Sequence, residues 1–338
     1  VIVVRPITAN DLERLEQLAV ESGPGMTNLP AGREILEEKI RTSVESFARE
    51  VIEPGEESYL LVGEDTATGE VIGTSAVIAR VGVSKPFYSY KILALAHTSL
   101  ELNKYETVRV LQMVNEYRGA TEIATLYLTP AYRKDGNGRL LSRSRFLYMG
   151  EFPSRFSHLV MAEMRGVHDA EGHSVFWESL GQHFIGMDFS KADYLSSLGR
   201  HQFIADLMPA FPIYIRLLPE AAQEVIGLAH EDTRPALRLL EREGFRFEGC
   251  VDVFDAGPTI HAPLDQIRTV RESRHALVGD VVEALEGHGY LIAAARAERF
   301  RACRGALRQC DDGSVRIARE VAEALELAQG EPVRYARF

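Results

Sequence analysis

Apolar positions along the chain change period several times. Val1–Val4 is a β-branched run, and Thr8 opens a TxxD capping box ahead of Leu12, Leu15, Leu18 and Ala19 at helical spacing, predicting a strand and then a helix. Ser58–Val62 and Val71–Val77 read as an antiparallel hairpin across a polar link that holds Asp65 and Gly69. Between Val81 and Thr121 the pattern is less regular: ILALAHTS reads as strand, Val108–Val114 as helical, and the whole as an insertion. Leu126 and Leu128 then alternate as in a strand, Pro130 ends it, Gly136 and Gly138 free the backbone, and helical spacing resumes after Arg139 to about Gly150. Leu159–Met164 predicts another strand, and Val175–Leu180 a short helix closed by Gly181. Further on, PIYIRL is strand-like, PEAAQEVIGLAH and RPALRLLEREGFRF are helical, and VDVFDAGPTIHAP reads as strand, turn and strand. From about Ala276 short strands and one helix make a small β-rich module.

A strand running into a glycine loop that opens a helix suits an anion, because backbone N–H groups at a helix start face it without help from side chains. The same six residues also fit an ordinary glycine turn. A dinucleotide fingerprint wants a small residue at position 141, which is Leu, and GxxxxGK[ST] is absent. Arg133, Lys134, Arg139, Arg143 and Arg145 bring local positive charge against Asp135, although Arg143 and Arg145 also read as a solvated helix face.

Composition narrows the partners. A net charge of −11 over 338 residues argues against nucleic acid and favours a cationic substrate. The 46% hydrophobic content supports a large core. Cys250, Cys303 and Cys310 form no CxxC pair, which suits a reducing compartment. No apolar run reaches the roughly 20 residues of a membrane span, and the start lacks a basic segment with an apolar core. The expectation is a cytoplasmic protein without membrane contact. Ten histidines include no HExxH or zinc-like spacing, so no metal is expected.

Arg133, Gly136 and Gly138 give RxxGxG, which after its strand resembles the pyrophosphate-binding motif of the GNAT acyltransferases. The run Phe176–Phe184, FWESLGQHF, resembles that family's FYxxLGF segment, with Trp177 where many members use an acidic Tyr; LEREGF resembles it a second time. The implied fold is α+β, GNAT-like, with a splayed mixed sheet, a partial duplication as one reading, and the C-terminal β-rich module. Its parts are residues 1–195 as acyltransferase core, 196–275 as second half or partial repeat, and 276–338 as module.

Longer strings, among them RPITANDL, TNLP (Thr27 to Pro30), RKDGNGRLLSRSRF, AEMRGV, VFWESLG, MDFSKADYL and DVFDAGPT, resemble the arginine N-succinyltransferases. The resemblance implies succinyl transfer from succinyl-coenzyme A (succinyl-CoA) to the α-amino group of L-arginine in arginine catabolism, with L-ornithine as a further acceptor in some members. It implies a homo-oligomer or a hetero-oligomer with a paralogous chain. It assigns Leu126 to succinyl-CoA binding and His230 as proton donor, with Arg133, Lys134, Asp135, Gly136, Asn137, Gly138 and Arg139 forming the cradle. No GxSxG or catalytic cysteine motif is present, so direct attack in a ternary complex is expected. A guanidinium calls for carboxylates, for which Glu163, Asp252 and Asp255 are candidates, and Arg165 is a candidate for a carboxylate end of either substrate. Rival readings are a GNAT enzyme with another donor or amine, and a non-catalytic partner of an active chain.

Overall fold

The computed structural model describes residues 1–23, 28–169, 171–199, 202–287 and 289–338, so Thr27 of the TNLP string lies outside the described residues. β1 (Ile2–Pro6) precedes α1 (Leu12–Ser22), α2 (Arg33–Ala48), the hairpin β2 (Ser58–Asp65) and β3 (Glu70–Ile78), and the long hairpin β4 (Ser89–Ser99) and β5 (Lys104–Val114). β6 (Thr121–Leu128) feeds α3 (Asn137–Glu151), then β7 (Leu159–Glu163). Short elements follow: α4 (Val175–Ser179), α5 (Gly181–Ile185), α6 (Phe189–Ser197), α7 (Gln202–Leu207), β8 (Ile213–Tyr214) and α8 (Glu220–Val225). α9 (Arg234–Glu243) leads into β9 (Arg246–Asp252), β10 (Pro258–Pro263) and α10 (Arg268–Glu272). β11 (Arg274–Val282), β12 (Tyr290–Ala294), β13 (Arg301–Gly305), β14 (Leu307–Gln309), β15 (Val315–Ala318), α11 (Arg319–Leu325) and β16 (Pro332–Arg337) end the chain.

The described strands form one sheet in the order β14-β15-β11-β16-β12-β13-β1-β2-β3-β6-β7-β10-β9-β4-β5-β8. Strand alternation sends Leu60, Val62 and Ala76 to one face, against Leu15, Leu18, Leu36 and Ile40 of α1 and α2. It sends Tyr59, Leu61 and Val77 to the other, against Leu140, Leu141 and Phe146 of α3 and Leu240 of α9. On that side the Tyr148 ring lies 5.1 Å from Phe300 and 5.3 Å from both Phe47 and Tyr59, tying α3 to the sheet and to the C-terminal strands. Such pairs are worth about 0.5–1.5 kcal/mol each beyond their burial.

The functional geometry comes from a defect in this sheet. β6 and β7 are parallel but pair only through Thr121–Val160 and Glu122–Met161, after which they separate. On its other edge β6 carries a bulge: Thr74 opposes Tyr127 and Ala76 opposes Ala124, leaving Thr125 and Leu126 opposite Ser75 alone, with Thr125 at φ 56°. This is the α+β, splayed, mixed sheet that the glycine-loop family implied.

Several local expectations change. Val108–Val114 is strand, not helix, because buried Val108 and Val110 alternate with exposed Thr107 and Arg109 and the segment pairs along β4. PIYIRL keeps only two strand residues before a 3-10 turn. PEAAQEVIGLAH is helical only over Glu220–Val225, since Gly227 takes φ 80° and breaks the run. Arg143 and Arg145 are not a solvated face: every residue from Leu140 to Met149 is buried, because α3 is wedged between the sheet, α10 and the C-terminal strands. β9 and β10 join the sheet beside β7, so the region read as a partial duplication shares the sheet of the first half.

Candidate active site

A cavity of about 880 Å³ occupies the gap where β6 and β7 part. Lys39 and Thr42 of α2 line it on one face of the sheet, and Arg145 of α3 with Ala236 and Leu240 of α9 on the other, so it passes through the sheet. Of the two helices resembling the family segment, α9 forms this wall. Trp177 is buried elsewhere, its indole N–H donating to the Met187 carbonyl at 2.9 Å and its ring stacked on Phe254 at 5.3 Å. The Tyr-to-Trp departure therefore does not touch the cavity.

Glu163, Arg165, Asp252, Asp255 and Leu126 all line the cavity, bringing together candidates taken from distant parts of the sequence. Glu122, not anticipated, joins them, with Asn28 of the TNLP string donating to its carboxylate at 2.9 Å. Burial raises the Glu122 pKa to about 7, countered by the Asn28 hydrogen bond and nearby Lys39. Burial also raises Asp252 to about 7, with the Asp255 charge adding to it, and pushes Glu163 well above the carboxylate range, reinforced by Asp252, Glu122 and Asp255. Asp255 has both oxygens engaged, accepting from the Gly166 amide at 2.6 Å and the Gly257 amide at 2.8 Å. One Asp252 oxygen caps the turn through the amides of Phe254 and Asp255 at 2.7 and 3.0 Å. The Glu163 carboxyl accepts no hydrogen bond from another described residue, so it is the acid of this group held open to a ligand.

His230 is neither in a helix nor at a helix C-terminus. It precedes the turn into α9, and its amide donates to the Arg165 carbonyl at 2.8 Å. The ring stacks on His168, centroids 4.7 Å apart and planes 22° apart, and Arg165 Nε donates to His168 Nε2. Because His230 Nδ1 accepts from the Asp232 amide at 3.2 Å, the neutral ring carries its proton on Nε2. Burial, Arg165 and His168 each lower the His230 pKa, which keeps the ring neutral near pH 7. The ring is set beside the cavity, behind Arg165 and Thr233, which line it.

The cradle stands at the end of β6, outside the cavity lining. Arg133 Nε donates to the Leu128 carbonyl at 2.8 Å and Asn137 Nδ2 to the Tyr132 carbonyl at 3.1 Å, which fixes the loop. Asp135 and Gly136 both take positive φ, 53° and 82°, and the amides of Asp135, Gly136, Gly138 and Arg139 donate to no described acceptor. Lys134 is exposed. A side chain at Gly138 would meet open space, so packing within the chain does not require glycine there. At Gly136 an added Cβ would lie 3.0 Å from the Phe338 ring, over which Arg139 stacks at 4.0 Å.

Residues 2–269 match the family model described as arginine N-succinyltransferase beta subunit, and residues 274–337 match that of its C-terminal domain. Arginine N-succinyltransferases of Salmonella paratyphi B and Salmonella newport are each 42% identical, over 99% of this chain and 97% of theirs. The structure of arginine/ornithine succinyltransferase subunit AI from Pseudomonas aeruginosa superposes with a TM-score of 0.90 at 36% identity, covering 99% of this chain and 98% of that one. With family models spanning almost its full length and relatives above 40% identity, the chain belongs to the arginine N-succinyltransferase beta subunit family.

Proposed function

We propose that the protein transfers succinyl from succinyl-CoA to the α-amino group of L-arginine, with L-ornithine as a further acceptor, in arginine catabolism. The observation that carries this is the lining of the cavity: the carboxyls Glu122, Glu163, Asp252 and Asp255 share it with the buried Arg145 and with Leu126 of the strand that leads to the cradle. The diphosphate of coenzyme A lies on the free amides from Asp135 to Arg139, with Arg133 and Lys134 adding charge. The pantetheine arm follows β6, where the bulge at Leu126 leaves backbone groups for strand-like pairing, and the thioester reaches the splay.

Arginine enters from the α2 side. Its guanidinium meets Glu163 with Asp252 and Glu122 behind, and its α-carboxylate meets Arg165. The deprotonated α-amine attacks the thioester carbon, forming the C–N bond. The tetrahedral intermediate collapses with cleavage of the C–S bond, the amine proton is lost to solvent, and His230 Nε2–H supports the departing sulfur. The products are N2-succinylarginine and coenzyme A.

Steady-state assays of the purified chain, pairing succinyl-CoA and acetyl-CoA with arginine, ornithine and spermidine, test this reading. Turnover confined to succinyl-CoA with arginine or ornithine supports it, and turnover of acetyl-CoA with spermidine alone overturns it. The cradle has its own test. Gly138→Leu is expected to leave the melting temperature nearly unchanged and to weaken coenzyme A binding by roughly 10-fold or more, read by calorimetry, since close backbone approach is lost. Unaltered affinity would move the diphosphate elsewhere.

The carboxyl group predicts a pH dependence. A carboxyl whose folded pKa exceeds its unfolded one contributes stability that is complete below the unfolded value and is lost as pH rises through the folded value, here about 7 for Glu122 and Asp252. The depressed histidines act in the opposite sense below about pH 6.5, so the informative window lies above it. The ligand-free melting temperature should fall from pH 6.5 to 8, and arginine should restore more of it at pH 8 than at 6.5. A flat profile with no arginine effect would separate these acids from the acceptor.

We place the enzyme in the cytoplasm, associated with a second chain of its family. Its cysteines are free, and no described helix is long and apolar enough to cross a membrane. The outer half of the β4–β5 hairpin pairs with no other described strand and exposes Leu100, Leu102 and Tyr105, a poor arrangement for an isolated ribbon. Sedimentation of the same purified chain measures the association; a monomer at assay concentration would refute it.

A further inference from the structure

Arg145 is 1% exposed, yet it lines the cavity. Its Nε donates to the Ser142 carbonyl at 3.1 Å, Nη2 to Ser142 Oγ at 3.0 Å and Nη1 to the Ala124 carbonyl at 3.3 Å. A guanidinium has five N–H groups, so one hydrogen on each terminal nitrogen is left without a described partner. Those two form a fork that fits the two oxygens of a carboxylate. No described carboxylate lies within ion-pair distance of Arg145. The other cations around the cavity are differently placed: Lys39 faces Glu122, Arg80 donates to the Pro54 carbonyl at 3.4 Å, Arg165 is held on His168, and Lys85 is exposed.

A role confined to bracing the β6 bulge does not account for this. Three hydrogen bonds to neutral oxygens fix the side chain, but burying a full charge without a counter-ion is costly, and a neutral amide could brace the Ala124 carbonyl. Among the described residues no carboxylate offsets that charge, so the fork suits an anion from outside the chain. Arg145 belongs to α3, on the sheet face of the cradle helix, and it grips β6 one residue before the bulge, beside Leu126. An anion reaching it beside β6 therefore arrives with the acyl donor, which the reading above lays along that strand.

We propose that Arg145 is the receptor for the free carboxylate of the transferred acyl group, and so the residue that makes the enzyme take a dicarboxylic acyl donor. The inference rests on the acyl-CoA reading above. Succinyl carries a carboxylate two methylenes beyond its thioester carbonyl, and butyryl is its near-isostere with a methyl in that place. With butyryl-CoA bound, the fork stays unpaired.

The test measures kcat/KM for succinyl-CoA and butyryl-CoA with arginine in the wild type, Arg145→Lys and Arg145→Gln, with calorimetry of free coenzyme A on each. The wild type should favour succinyl by about 100-fold or more. Arg145→Gln should collapse that ratio toward one, and Arg145→Lys, which keeps the charge but loses the fork, should fall between, while free coenzyme A binds all three alike. Loss of both donors in equal proportion would make Arg145 a brace for β6 and overturn the assignment. A wild type that uses butyryl-CoA as well as succinyl-CoA would overturn it too, even if Arg145→Gln does not fold. A wild type that binds no coenzyme A would sink the acyl-CoA reading itself, and this assignment with it.

Discussion

Replacing His230 with alanine is expected to lower turnover about 100-fold or more while coenzyme A affinity stays within about twofold. The asymmetry follows from position. The ring lies beside the cavity, behind Arg165, whereas the cradle is fixed by Arg133 and Asn137 at the far end of β6. In the proposed reaction the ring acts only as charge gathers on sulfur, so its removal should appear in kcat and leave the ground-state complex intact. His230 is also held in one tautomer by the Asp232 amide, and the stacked His168 opposes its protonation. His230→Gln, which can still donate a hydrogen bond but cannot titrate, should recover part of the loss. Near wild-type turnover of the alanine variant would remove His230 from the reaction. An equal loss in coenzyme A affinity would make it a packing residue.

Glu163→Gln should reduce kcat/KM for arginine by roughly 100-fold, the scale of truncating one partner of a buried charge pair. The same change should raise the melting temperature of the ligand-free protein. Glu163 is held among Asp252, Glu122 and Asp255, and no described residue donates a hydrogen bond to it, so the empty site carries a carboxyl that burial and like charge both penalise. Neutralising it relieves that penalty and removes the proposed partner of the guanidinium together. A structural carboxyl would show the reverse, a lower melting temperature with kcat/KM nearly unchanged, and that pair of results would reject the acceptor role.

Much of this site was legible in the chain because its parts are local. The cradle is a contiguous turn whose glycines and flanking strand announce themselves, and Glu163, Arg165, Asp252 and Asp255 lie at predicted strand ends, where side chains reach a sheet opening. Glu122 was missed because it sits early in its strand. Its cavity position depends on β7 separating from β6 just after it, a tertiary event with no local signature. Arg145 was misread for a similar reason. Arginines flanked by serines in SRSRF suit a solvated helix face, and only the packing of α10 and the C-terminal strands against α3 buries them. Val108–Val114 was lost to a competing helical period, which pairing with β4 overrides. FWESLGQHF resembles the family segment but does not line the cavity, whereas α9 does, since the inserted helices separate β7 from α9 in sequence but not in space.

The passage through the sheet also governs traffic. A cavity lined from both faces would let donor and acceptor approach from opposite sides of the sheet, so that neither reactant has to wait for the other and neither product is trapped behind its partner. Initial-velocity patterns should then be those of a random sequential mechanism, with spent carrier and acylated amino acid each backing out the way its precursor came.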